Sequence, residues 1–236
     1  MEKVLKILSY ISISLFLFAL PVTSQEKMSL PEGGDQDPVG FTVGFNLEGP
    51  VGKFFDSDKS AFSAVTHINL SPHWFFRGEA GFENLRFSSA NRADRNYAYE
   101  SNGSFLKAGI LYDFFDVEEA GNRDNIFVGL HYGFALQEHG SRRFVIQNGY
   151  WDDFQGSVSN YVMNTHWAEF SVGPRTELLK NFYMGWTVNL RMDLWRENKE
   201  VLVPYSVPGF GRGDNNVNVG FSYVIEYFIP WGGSGR

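Results

Sequence analysis

His139 and Ser141 stand one residue apart, with Glu138 adjacent. These residue types can hydrolyse an ester. The imidazole takes the hydroxyl proton, a carboxylate orients the imidazole, and the serine oxygen attacks the carbonyl. The plainer reading is a loop turn with surface-exposed polar residues, since the triplet stands at a loop entrance and runs into Arg142-Arg143. A second set of candidates is ionic. Glu48, Glu79, Glu83, Asp113, Glu169, Glu177, Asp193 and Glu226 share a strand parity with Arg77, Lys107, Arg175, Arg191, His67 and His131. Crowded acids of this kind can sense protons or act as a catalytic pair. The plainer alternative is an interior network of ion pairs and hydrogen bonds.

Other chemistry has less support. The five His are scattered, no H-x-x-x-H or H-E-x-x-H spacing occurs, and there is no Cys. "GFGRG" at 209–213 superficially resembles a glycine-rich phosphate loop, but it opens no helix after a buried strand. A flexible outer loop is expected there. Arg212-Gly213-Asp214 is an adhesion-like tripeptide and carries little weight alone. No catalytic, cofactor-binding or metal residue is assigned, and no cofactor is expected.

Positioning these side chains falls to strands. In "NFYMGWTVNLRMDLW" (181–195), Phe182, Met184, Trp186, Val188, Leu190, Met192 and Leu194 share one parity. Period-two alternation places successive side chains on opposite faces of a sheet. Seven further segments alternate: Val39–Glu48, Ala61–Leu70, Trp74–Glu83, Ser104–Asp113, Ile126–Gln137, His166–Leu178 and Val217–Trp231. Most match the roughly 9–11 residues of a tilted membrane strand. The connections Ser71–His73 and Leu179–Asn181 are short. Pro50–Ser60, Leu85–Gly103, Glu138–Thr165 and Arg196–Asn216 are long, and all fall at the other end, as in an outer-membrane barrel. Phe114–Asn125 is longer than that pattern allows. Within the longest loop, Phe144, Tyr150, Trp151 and Phe154 mix with Arg and Asp, a composition suited to partner contact or to packing over the barrel mouth and lipid. Pro204 and Pro208 suggest that Arg196–Asn216 is a shaped loop.

Composition bounds the setting. The chain has 236 residues with 23 Phe, 11 Tyr and 25 Gly, which favours sheet and turns. Residues 1–24 read as a cleavable export signal: Lys3 and Lys6, the apolar run Ile7–Leu20, then small residues ending at Ser24. Residues 25–37 read as a flexible leader, 38–231 as the barrel and 232–236 as a C-terminal tail. The formal charge is −7, an acidic balance that argues against nucleic-acid binding.

The same alternation could build a soluble barrel with its faces exchanged. Lysine placement opposes this. A solvated outer face is a natural place for Lys, yet of eight Lys only Lys107 falls inside a predicted strand. The polar parity carries Gly, Ser, Thr, Asn and limited charge, which suits a crowded lumen. Phe41, Trp74, Phe76, Tyr112, Phe182, Tyr227 and Trp231 cluster at one set of strand ends. Phe62, Phe82, Phe134 and Phe221 lie nearer the other, as aromatic girdles would. The expected fold is therefore an all-β, eight-stranded antiparallel up-and-down transmembrane β-barrel.

The chain resembles small Bacteroidota outer-membrane barrels of the OmpX and PorT-like type. "HWAEFSVGPRTELLKNFYMGWTVNLRM" and "VPYSVPGFGRGD" are most similar to a family carried as a domain of unknown function. The resemblance implies location in the cell outer membrane, contact with its lipid and lipopolysaccharide, and insertion by the barrel-assembly machinery, which the aromatic last strand suits. It carries no catalytic motif. The expected role is a non-enzymatic structural or accessory component of an envelope assembly, with an unidentified protein partner. The alternatives are a surface adhesin and a lipid A-modifying enzyme of the outer leaflet, for which His139-Gly140-Ser141 has a deacylase-like spacing.

Overall fold

The computed structural model describes residues 40–54, 56–71, 73–87, 97–114, 124–146, 154–197 and 202–230. The export signal, the leader, Tyr150, Trp151, Trp231, the C-terminal tail and residues 115–123 of the overlong connection lie outside the described residues. Eight long strands are β1 (Gly40–Asn46), β2 (Lys59–Ser71), β3 (Trp74–Phe87), β4 (Tyr97–Asp113), β5 (Asn125–Ile146), β6 (Phe154–Leu179), β7 (Phe182–Arg196) and β10 (Val217–Pro230). A short helix α1 (Glu48–Lys53) follows β1, and a small hairpin of β8 (Ser206–Val207) and β9 (Gly211–Arg212) precedes β10. The long strands close in the order β1-β10-β7-β6-β5-β4-β3-β2, each neighbour antiparallel. The expected up-and-down barrel is present. Its tight β6–β7 turn places Asn181 at φ 66°, a conformation that Asn tolerates better than most residues.

Outward and inward sets follow the sequence parity. Val43, Phe45, Leu106, Ile110, Leu136, Val188 and Leu190 point out and stay exposed, and Leu130 and Val219 are 65% and 73% exposed. Water penalises such a continuous apolar belt, whereas hydrocarbon does not. Rings mark its edges. Phe45, Phe62 and Phe82 form a row with centroids 5.4 and 5.9 Å apart at the long-loop end. Trp74 and Tyr112 meet at 4.9 Å at the short-turn end.

The lumen corrects one expectation. The inward parity is not only small and charged; it is layered. Phe75, Leu111 and Phe127 pack together near the short turns. Phe105, Ala135, Met163 and Trp167 pack with Val207 and Phe210 of the β8–β9 hairpin near the long loops. Charged groups lie between. An inward apolar ring buried against other rings is as stable as one facing lipid, so parity alone does not separate the two. Gly133 lets Trp167 lie flat across the lumen, because a Cβ there would stand 2.0 Å from the indole Cε2.

A second correction concerns the longest loop. Most of Glu138–Thr165 is strand: β5 runs to Ile146 and β6 starts at Phe154, with register shifts near Ser141. From Leu136, an exposed apolar residue of the belt, to the end of β5 is roughly 30 Å of strand at about 3.3 Å per residue. Above the belt both faces meet water or polar neighbours, so the alternation that marks a strand disappears. Lys59 also falls in a strand, at the start of β2.

Candidate functional site: a charged cup at the long-loop end

β1 stops early. Its pairing ends at Asn46, opposite Val224 of β10 and Ser63 of β2. Both neighbours run further towards the long loops, β10 back to Val217 and β2 back to Lys59. The wall between them is closed by α1, whose lead-in Leu47 donates its backbone N–H to the Tyr223 carbonyl at 2.7 Å. Pro50 explains the change, since it has no N–H to continue a ladder but fits the first turn of a helix. Gly49 lets the helix approach β2, because a Cβ there would lie 2.2 Å from the Ala61 carbonyl oxygen.

Behind α1 lies a cavity of about 260 Å³ lined by Glu48, Lys59, Glu79, Glu83, Lys107 and Arg191, with Gly209 and Gly211 of the hairpin at its side. Its floor is the ionic layer. Lys107 Nζ is 2.8 Å from Glu79 Oε2 and 3.4 Å from Glu169 Oε2. Arg191 Nε donates to Glu169 at 2.8 Å. Asn46 Nδ2 and Ser63 Oγ donate to Glu79 at 3.1 and 2.9 Å. Nearer the short turns, Glu226 bridges His67 at 2.5 Å and Arg175 at 2.9 Å. The cup's rim has looser pairs: Lys59 with Glu83 at 3.0 Å and Arg191 with Glu48 at 3.5 Å.

The hairpin closes the rest of the mouth. "GFGRG" is an ordered turn, not a flexible loop: Gly209 and Gly211 take φ of +70° and +114°, and Phe210 is fully buried. Glycine adopts those angles without strain, and this swings Phe210 down onto Trp167 at 5.8 Å between centroids. Ser206 donates to Glu83, its carbonyl accepts from Gln137 at 3.2 Å, and Tyr161 donates to the Leu202 carbonyl at 2.6 Å. Arg196 donates to the Gly213 carbonyl. The shaped loop expected from Pro204 and Pro208 is a plug.

His139 and Ser141 are not in a surface turn; both are buried in β5 above the belt. Tyr99 Oη lies 3.2 Å from His139 Nδ1, and Ser141 Oγ donates to the Ala98 carbonyl at 3.0 Å. Glu138 pairs across to Val162 on the outward parity and does not orient the imidazole. Burial pushes the His139 imidazole down to about 4 and raises the Tyr99 phenol. Of the tripeptide, Arg212 and Asp214 close on each other at 3.0 and 2.6 Å.

The ionic candidates assemble as a network: Glu79, Glu169, Glu226, Arg77, Lys107, Arg175, Arg191 and His67 all face inward and are buried. Glu48 lies on α1 at the rim, and Asp193 pairs with Arg196 at 3.0 Å higher up. Sequence reasoning missed Lys59, Tyr99, Ser206 and Phe210. Beyond Pro204 and Pro208, the pair of glycines flanking Phe210 is a signal that could have pointed to the plug.

A family described as a domain of unknown function, DUF6048, matches residues 6–232. The chain belongs to this family. No curated protein sequence matches this DUF6048 chain. Solved structures similar to it include Ail, the attachment invasion locus protein of Yersinia pestis, at 8% identity and TM-score 0.39, over 80% of this chain and 95% of that one. Neisserial surface protein A is 9% identical with TM-score 0.38, over 80% and 93%. A major outer membrane protein from Thermus thermophilus is 10% identical with TM-score 0.43, over 81% and 97%.

Proposed function

We propose that this chain is a non-conducting outer-membrane barrel that works at its outer mouth, as a structural or accessory component of an envelope assembly. The observation that carries this is the filled lumen. Among the described residues, apolar layers near both ends and paired charges between them occupy the lumen where a solute would pass. What extends beyond the lipid belt is the tall sheet of β4, β5 and β6 together with the plug and cup, and a partner would meet those surfaces. Residues 1–24 would direct export, the barrel-assembly machinery would insert the aromatic last strand, and lipopolysaccharide would surround the upper girdle.

The test is purification of a tagged copy from mildly solubilised outer membranes, with heated and unheated gel lanes and planar-bilayer recording. Faster migration without heating, no steady conductance and a stoichiometric companion are the expected results. A steady ion current would overturn the closed-lumen reading. Absence from the membrane fraction would mean that the apolar belt faces something other than lipid.

A further inference from the structure

We infer that the outer face of β6 and β7 holds the ammonium head of an outer-leaflet lipid, at a patch built from His166, Trp195, Asn164 and Glu197. This rests on the membrane-barrel reading above and adds a ligand to its lipid-facing surface. A bulge makes the patch. Trp167 pairs with Asp193 and His166 with Trp195, so Leu194 is the extra residue on β7. Without it, Trp195 and Glu197 would keep the inward parity of Asn189 and Arg191. With it, Trp195 is 54% exposed, Glu197 is exposed beyond it, and Arg196 turns inward to pair with Asp193. Bulges re-aim side chains in this way, often beside functional sites.

The lower half of the patch is aromatic. His166 stands above Ala168 and Phe170 on the outward face of β6, with the ring centroids of Phe134, Trp195 and Tyr132 at 5.0, 5.2 and 5.9 Å. Tyr132 Oη meets His166 Nδ1, which leaves Nε2 for a guest. The upper half presents acceptors. Asn164 Nδ2 donates to Glu197 Oε2 at 3.0 Å, and Asn164 Oδ1 is buried without a partner. Glu197 has no cation beside it among the described residues, and Glu138, exposed on β5 opposite Val162, adds charge of the same sign. A carboxylate at the edge of hydrocarbon is poorly hydrated and favours a cation at its side. Aromatic ring faces favour the same guest. An ammonium satisfies both, whereas a bare anion is repelled. The occupant is a lipid because the patch is continuous with the apolar belt: Leu136, Phe170, Met192 and Leu194 surround it and are all exposed. Acyl chains lie against those side chains while the ammonium turns to Glu197.

The test uses the full chain in a neutral detergent and native mass spectrometry, with phosphatidylethanolamine and its N-acetylated form in competition. Acetylation removes the ammonium and leaves the phosphate and the chains unchanged. The ammonium lipid should be retained about tenfold better, the scale of one hydrogen bond to a charged group. Glu197→Gln should remove that preference, and Trp195→Leu should cut it roughly threefold. Both side chains are exposed, so the unheated gel shift should stay unchanged. Equal retention of the two lipids, or a preference untouched by Glu197→Gln, would overturn the inference. Displacement of the lipid by free ethanolamine at equal concentration would refute the lipid occupant and make the guest a soluble amine. A dimer that Trp195→Leu abolishes would refute it in favour of a second copy of the chain. Loss of the gel shift in the unaltered protein would instead refute the membrane-barrel reading.

Discussion

Replacing Lys107 with methionine removes one charge and keeps the length of the side chain. Lys107 is buried at 3% exposure between Glu79 at 2.8 Å and Glu169 at 3.4 Å. Removing one partner of a buried pair costs about 3–5 kcal/mol, because the other charge stays out of water. Here each carboxylate keeps a second cation, Arg77 at 3.6 Å from Glu79 and Arg191 at 2.8 Å from Glu169. The loss should therefore fall at the lower end, about 3 kcal/mol, or roughly a hundredfold in the folding equilibrium. Urea unfolding of the refolded barrel in detergent, followed by Trp fluorescence, reads this directly. Adding Glu79→Gln restores the charge balance of the layer, so the double variant should recover part of the loss, with a coupling of about 1–3 kcal/mol. A single Lys107→Met variant within about 0.5 kcal/mol of the parent, the range of an ordinary surface change, would refute the ionic floor.

Gly133→Ala should drive Trp167 off its seat, loosen the plug and make residues 202–216 more sensitive to protease, with Phe210→Ala giving the same result from the other side. The tall sheet should weaken as pH falls. His139 is held neutral down to about 4 against an ordinary 6.5, so its stabilisation is complete above about 6.5 and is lost as pH drops towards 4. Amide protection in the upper parts of β4–β6, taken relative to the intrinsic exchange rate at each pH, should therefore be lower at pH 5 than at pH 7, and His139→Gln should flatten that difference. Arg142 meets Glu100 at 2.7 Å but is 71% exposed, so Arg142→Ala should change stability by less than about 1 kcal/mol in a denaturation curve.

The strands of the belt were legible because lipid on one side and a mixed interior on the other force a period of two. In β7, Val188, Leu190 and Met192 alternate with Thr187, Asn189 and Arg191, and the structure puts the first set out and the second in. Most of the inward charges were legible for the same reason, whereas Glu48 left the strand for α1 where β1 ended early. The reach of β5 and β6 was not, since "EHGSRR" has polar residues on both parities. His139 and Ser141 looked like a loop pair because their burial depends on Tyr99, Tyr161 and Leu202, none of them near in sequence.

By itself, then, the sequence determined the strand count, the two faces and most of the charges to be buried, with Glu48, Glu177 and Asp193 the exceptions, because alternation is a local consequence of the pleat. Only the tertiary structure decided how those charges pair, that Trp167 and Phe210 meet inside the barrel, and that β1 ends early enough to leave a cup behind α1. Those facts depend on closure. Pairing of neighbouring strands sets Glu79 opposite Lys107 and Glu169 opposite Arg191, but curling eight strands into a ring is what carries Lys107 to Glu169 and His67 to Glu226, and it sets the length of β1 against β2 and β10. No stretch of chain short enough to show a pattern contains both sides of that ring.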